Sequence, residues 1–346
     1  MRIVKNNKRI SVLGLIKFLA AIAIVYYHTD LGEHWNHLWI LVELFFFITG
    51  YFTFKHFRKK ENRGKSSEQK AKNAISYTIN KFKPFVPFAL IAIILRYIAI
   101  LLLNNGTPLV SLARIAPIEA LLLNSQIDEH YWALWYLSAM LIVFPLFCYM
   151  CQTKKKRTLY IILFTVTIVY YFNFFKAAIF GYESLIRAFF GMSTGILVYG
   201  VSEAIRKNKR IKENSLLLLL ISLLSMCASI IVLYPSPSSL GYRTYGELFL
   251  IFTVAWFSIL MSKKTILSSI SSKTMDYLER LSMIIYLIHT SILLIVELAL
   301  RPFVSNKITI AAISIVICMV LGSLLNEIIK ILKSKHVSKN AMIEQR

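Results

Sequence analysis

Along this chain, apolar stretches alternate with hinges, and every second hinge is loaded with Lys and Arg. The basic clusters at 2–9, 55–83, 154–157, 206–212, 263–280 and 330–346 together hold 32 of the 40 Lys and Arg residues. The intervening hinges at 29–37, 104–130, 174–183, 235–244 and 300–307 hold only five. A helix needs about 20 apolar residues to cross a bilayer, and basic loops stay on the cytoplasmic side during insertion. The alternation therefore predicts both the number of crossings and their direction: an all-α, polytopic membrane bundle of about ten helices with both termini cytoplasmic. The helices are expected near 10–28, 38–54, 84–103, 131–151, 158–174, 184–202, 215–234, 245–262, 281–299 and 307–332.

Composition agrees with this reading. Hydrophobic residues make up 57% of the chain, charged residues 16%, and the mean hydropathy is +0.62, values of the membrane class. A net charge of +23 on a soluble protein would suggest nucleic acid. Here the charge is sorted by loop parity rather than gathered on one face, so no nucleic-acid partner is expected. The basic loops instead face anionic lipid of the inner leaflet, at roughly 1 kcal/mol of attraction per residue. The chain reads as one transmembrane domain, 1–346, with a polar cytoplasmic tail over 335–346. The first span ends in Tyr26, Tyr27 and His28 rather than in a small-residue cleavage site, and is expected to remain as a helix. The apolar piece 109–124 is interrupted by Arg114, Pro117 and Glu119. Counting it as a crossing would invert every later basic loop, so it reads as a re-entrant or interfacial segment. The longest polar run, 55–83, is too short for a soluble domain, which confines any chemistry to the membrane domain.

Several motif matches fail on context. Cys148 and Cys151 form a CxxC without a second ligand pair, so no metal or redox centre is expected there. Glu33, His34 and His37 in one loop are equally weak as a metal site. Gly191-Met-Ser-Thr-Gly195 fits the GxSxG string, but a nucleophile elbow needs a strand-turn-helix. Inside a membrane helix it reads as small-xxx-small packing.

Ionisable residues inside spans are costly and mark functional sites. Here they are Lys17, His28, Glu43, Arg96, Arg187, His289 and Glu297. Lys17 and His28 are eleven residues apart, which on a helix leaves them within about 20° of one face and roughly 16 Å apart along the axis. That face carries a cation in its cytoplasmic half and an imidazole near its outer end. Glu43 opens the run Glu43-Leu-Phe-Phe-Phe-Ile-Thr-Gly-Tyr51 at a similar depth to His28. It could orient that imidazole as the partner of a base, or pair with Arg187.

Five segments carry a resemblance. They are Ile16-Lys-Phe-Leu-Ala-Ala-Ile-Ala-Ile-Val-Tyr-Tyr-His28, Glu43-Leu-Phe-Phe-Phe-Ile-Thr-Gly50, Tyr131-Trp-Ala-Leu-Trp-Tyr-Leu137, Arg187-Ala-Phe-Phe-Gly-Met-Ser-Thr-Gly195 and Leu281-Ser-Met-Ile-Ile-Tyr-Leu-Ile-His289. In this order the chain resembles the membrane-bound acyltransferase-3 family, which O-acylates surface carbohydrates. Lys17 stands where the family has Arg, Thr49 where it has Ser, and Lys81 and Lys83 where its basic stretch has arginines. A lysine keeps the charge but loses the guanidinium's two-pronged grip on phosphate.

The resemblance implies an acyltransferase that moves a group other than aminoacyl, most simply acetyl. Its donor is cytoplasmic acyl-CoA and its acceptor a hydroxyl of an extracytoplasmic or cell-surface polysaccharide. It further implies a bacterial plasma membrane location, acetyl-CoA as donor substrate, and no bound cofactor or metal. His28 would be base or transient acyl carrier, with Glu43 orienting it. Arg187, Tyr286, His289 and Trp135 would bind substrate or stabilise oxyanion charge, and Lys17, Lys81 and Lys83 would hold donor phosphates. The alternative on the same frame is an exopolysaccharide export or flippase-like protein without acyl chemistry.

The topology is directly testable. Single cysteines placed at His34 and Asp128 are expected to react with an impermeant maleimide from outside, and those at Arg63 and Arg210 only from the cytoplasm. External labelling at 63 or 210 would overturn the ten-crossing arrangement.

Overall fold

In lipid every backbone N–H and C=O must find its partner within the protein, which leaves helices as the form for long apolar stretches such as these. The computed structural model describes residues 10–29, 38–58, 65–103, 134–172, 182–208, 215–233, 242–263, 265–270, 272–300, 302–304 and 306–344. Among these are eleven α-helices: α1 (Val12–Tyr27), α2 (Leu41–Phe57), α3 (Ser67–Phe82), α4 (Val86–Leu103), α5 (Trp135–Thr153), α6 (Lys156–Phe172), α7 (Tyr182–Lys207), α8 (Ser215–Leu233), α9 (Tyr242–Ser262), α10 (Lys273–Leu300) and α11 (Lys307–Glu344). A short 3-10 turn, Leu38–Ile40, leads into α2. No strand occurs among the described residues.

Ten of these helices coincide with the expected spans, and the protein is an all-α, multi-pass membrane protein. Six segments are long and apolar enough to cross a membrane, and α3 with α4, bent by 53° at their junction, passes as one broken segment. Shorter apolar helices lie at Val12–Tyr27, Arg157–Val166 and Leu248–Ser262. The expected re-entrant piece at 109–124 and the loop with Glu33, His34 and His37 lie outside the described residues.

One expectation is corrected. The stretch 55–83 is not all loop, because it contains α3. Ser66 starts that helix with a capping box: its Oγ accepts the Gln69 N–H at 3.2 Å, and Gln69 Oε1 accepts the Ser66 N–H at 3.0 Å. Such reciprocal capping satisfies two otherwise orphaned donors. Only Ala74, Thr78 and Phe82 are buried on α3, a stripe at four-residue spacing too narrow to register as an apolar span. The polar flank ties it to α5, where Asn73 Nδ2 donates to Gln152 Oε1 at 3.2 Å and Gln152 Nε2 donates to the Lys70 carbonyl at 3.1 Å. At the other end α11 carries on through Glu344.

Segment 38–57 is 72% buried, whereas α8 and the 307–331 part of α11 are 22% buried, so α2 is central and the other two are peripheral. Around α2, the rings of Phe46, Phe47, Tyr51, Phe54, Phe144, Phe147 and Phe257 form the core. Cys148 and Cys151 are buried in it as free thiols.

Two helix pairs position the site. Helices α1 and α10 run parallel: Ser11 Oγ donates to Asp276 Oδ1 at 3.0 Å, Lys17 Nζ lies 2.6 Å from Glu279 Oε1, and Gly14 faces the Met275 carbonyl. Helices α2 and α7 interlock through glycines. A Cβ on Gly50 would strike the Met192 carbonyl, and one on Gly195 would strike the backbone of Phe47 and Tyr51. The small-xxx-small reading of 191–195 therefore holds.

A glycine against backbone differs from one against a mobile side chain. Gly195→Ala is expected to lower stability by at least the roughly 1–3 kcal/mol of an overpacked core. Gly322→Ala should be nearly neutral, because the closest atom its Cβ would meet is the movable Leu281 Cδ1 methyl, at 2.9 Å, with Ile284 and Ile285 in ordinary contact. Thermal unfolding of both variants in detergent checks the contrast; equal effects would mean that α2 and α7 are not locked at this crossing.

Candidate active site

Arg187 lies near the start of α7 and reaches toward the first turn of α2. Its Nε donates to Glu43 Oε1 at 2.8 Å, in a pair with side chains only 16% and 6% exposed. The guanidinium lies between two indoles, 4.8 Å from the Trp39 ring centre and 4.7 Å from that of Trp135. Each face thus gains cation–π attraction, which strengthens as the cation is desolvated, while the edge makes a charge-assisted hydrogen bond. Glycine at position 191 makes room for the pair: a Cβ there would come within 3.1 Å of Glu43 Oε2 and 2.5 Å of Phe46 Cβ. Glu43 Oε2 itself has no hydrogen-bond partner among the described residues.

His28 follows the last residue of α1, with its backbone N–H bonded to the Ile24 and Val25 carbonyls. The carbonyl end of a helix favours positive charge, so an imidazole placed there can carry a proton. The His28 ring centre is 5.1 Å from that of His289 on α10. His289 is fully buried, and its Nδ1 is 2.7 Å from the Tyr286 carbonyl. The Tyr286 ring packs against Tyr136 at 5.5 Å and Phe45 at 5.8 Å. Together His28, Tyr27, Trp39, Trp135, Arg187 and Tyr286 line an open cleft of about 240 Å³, closed on its apolar side by Ile24 and Val42.

Of the residues singled out from sequence, His28, Arg187, Trp135 and Tyr286 share the cleft wall, with Glu43 and His289 against it. The other three lie elsewhere. Lys17 is paired with Glu279, Lys81 is close enough to feel both charges and has its Nζ 5.5 Å from the Tyr77 ring centre, and Lys83 caps α3 in an exposed position. Of the two roles open to Glu43, the structure places it with Arg187: the close α2–α7 approach offers the carboxylate a guanidinium first. Trp39, Tyr27 and Glu279 did not emerge from the sequence. Trp39 precedes Glu43 by four residues, the spacing of one helix face, and could have been found that way. Glu279 sat inside a cluster read only for its basic residues.

The class of the protein is thus a helical membrane bundle with an aromatic cleft that holds an imidazole and a clamped arginine. The match of residues 10–327 to the acyltransferase domain model Acyl_transf_3 specifies which: the chain belongs to that family and is a membrane acyltransferase. No curated protein and no solved structure matches it.

Removing one partner of a buried ion pair leaves an uncompensated charge, typically worth about 3–5 kcal/mol. Arg187→Ala is therefore expected to destabilise strongly, and the double variant Glu43→Gln with Arg187→Gln to recover part of that loss. Unfolding midpoints in detergent measure both. A double variant no more stable than Arg187→Ala would show that the indole stacking, not the pair, holds the arginine.

Proposed function

We propose that this acyltransferase carries a short acyl group, most simply acetyl, from a CoA thioester to a hydroxyl of a cell-surface polysaccharide across a bacterial plasma membrane. The observation that carries the proposal is the placement of His28, Arg187 and flat aromatic rings around one cleft. Sugar rings present apolar C–H faces that stack on Trp and Tyr, and hydroxyls that need polar partners. A cleft of about 240 Å³ is below the ~300–1,000 Å³ of sites that enclose drug-sized ligands. It suits one sugar unit and an acyl group, with the nucleotide part of the donor held elsewhere.

A sugar hydroxyl ionises far above neutrality and needs a base as it attacks. His28 takes the hydroxyl proton while the oxygen bonds to the acyl carbon. As the C–S bond breaks, His28 returns the proton to the departing CoA thiolate, so no proton is gained or lost. The guanidinium of Arg187, fixed in place before reaction, stabilises the negative charge that builds on the acyl oxygen. At the opposite end of α1, Lys17 and Lys81 supply positive charge for the donor phosphates, with Glu279 holding Lys17 in place until the donor arrives.

His28→Ala is expected to lose the ~10²–10⁴-fold contribution of a positioned base, while Lys17→Ala raises the apparent KM for donor more than it lowers kcat. Transfer from labelled acetyl-CoA to candidate polysaccharides by the purified protein measures both. More than a tenth of wild-type activity in His28→Ala would remove His28 from the base role.

A further inference from the structure

Among the described residues, the wall of the cleft carries one permanent charge, the guanidinium of Arg187. That charge is already answered. Its Nε donates to Glu43 Oε1 at 2.8 Å, and the guanidinium lies 4.8 Å from the Trp39 ring centre and 4.7 Å from that of Trp135. Glu43 is only 4% exposed, so solvent screens its carboxylate little, and the pair presents almost no net charge to the cleft. Any further anion brought to Arg187 would also meet the negative charge of Glu43 behind it. Tyr27, Trp39, Trp135 and Tyr286 add uncharged surface, and His28 is uncharged whenever it is ready to act as a base.

We infer that the cleft selects an uncharged sugar unit: Glu43 compensates Arg187 while Trp39 and Trp135 cover it, so a ring bearing a carboxylate or phosphate is excluded where a neutral ring binds. This rests on the cleft being the acceptor site of acyl transfer. An anion leaving water needs an opposite charge that is still uncompensated, and without one its burial is costly. A neutral ring gives up only the hydration of its hydroxyls, and its apolar C–H faces gain contact with the aromatic wall. Arg187 still serves the acyl oxygen, because that charge grows on a carbonyl already in place and meets the guanidinium's N–H groups at short range. Glu43, Trp39 and Trp135 are thus specificity-determining residues that act on the acceptor through Arg187.

The test compares a uronic acid with its methyl ester, two ligands that differ by one charge and one methyl group. Full-length protein is held in a detergent without a sugar headgroup, at about pH 8, where an ordinary imidazole is uncharged. It is titrated with the neutral hexose, the methyl uronate and the free uronate of the glucose, galactose and mannose series. Quenching of tryptophan fluorescence reads binding beside Trp39 and Trp135, and labelled acetyl-CoA reads transfer. The best neutral hexose and its methyl uronate should bind alike, and the free acid at least about tenfold more weakly. Glu43→Gln leaves Arg187 uncompensated and should remove most of that difference.

A free acid that binds as well as its ester in the wild type would overturn the inference, and so would a panel in which no neutral member binds. The wild-type ratio decides this even if Glu43→Gln does not fold. A folded Glu43→Gln protein with undiminished discrimination would also overturn it, since shape rather than charge would then exclude the acid. If the ester binds, the acid does not, and no acetyl reaches any acceptor, the neutral-sugar site stands and the acyl-transfer reading falls.

Discussion

Helices α2 and α7 meet with backbone against backbone, and the rest of the site depends on that closeness. Between helices in a bilayer there is no hydrophobic drive of the kind that operates in water, so packing and polar contacts must hold them. Gly50, Gly191 and Gly195 remove the side chains that would otherwise separate the two helices. The gap left at Gly191 is where Glu43 and Phe46 sit, and it brings the carboxylate of α2 within 2.8 Å of the Arg187 guanidinium. Two desolvated charges are tolerated there because each compensates the other and two indoles cover the cation. The clamped arginine then forms one wall of the cleft.

The parallel pair α1 and α10 supplies the other wall and joins two kinds of chemistry. Near its start the pair carries Lys17 against Glu279; eleven residues further along α1 it carries His28 beside His289. Charge that suits an anionic donor and imidazoles that suit proton transfer are thus held on one rigid unit, roughly 16 Å apart along the axis. Proposed donor entry and acyl transfer occur at separate ends of the same helix.

Much of this was legible in the chain. Basic loops and apolar lengths marked the positions of ten helices, because insertion reads the same two quantities. His28 and Arg187 stood out because a bilayer makes an ionisable residue costly. Gly191 and Gly195 were recognisable as packing residues because four-residue spacing puts both on one helix face. Helix α3 was missed for the opposite reason, since its buried stripe holds only three residues and its capping box of Ser66 and Gln69 lies in a polar run. Glu279 was missed because a salt bridge over 262 positions leaves no periodic trace.

Whatever depends on hydropathy, charge and spacing along one helix was set by the sequence itself: the all-α class, the positions of the spans, and the shared face of Lys17 and His28. Partner choice belonged to the tertiary structure. Glu43 had both His28 and Arg187 open to it on sequence grounds, and only the glycine-lined approach of α7 to α2 placed it with Arg187. The parallel packing of α1 and α10 likewise set the His28 ring against that of His289. Such contacts are decided by angles and separations between helices, and a difference of an ångström in helix approach selects one partner over another where sequence spacing is silent.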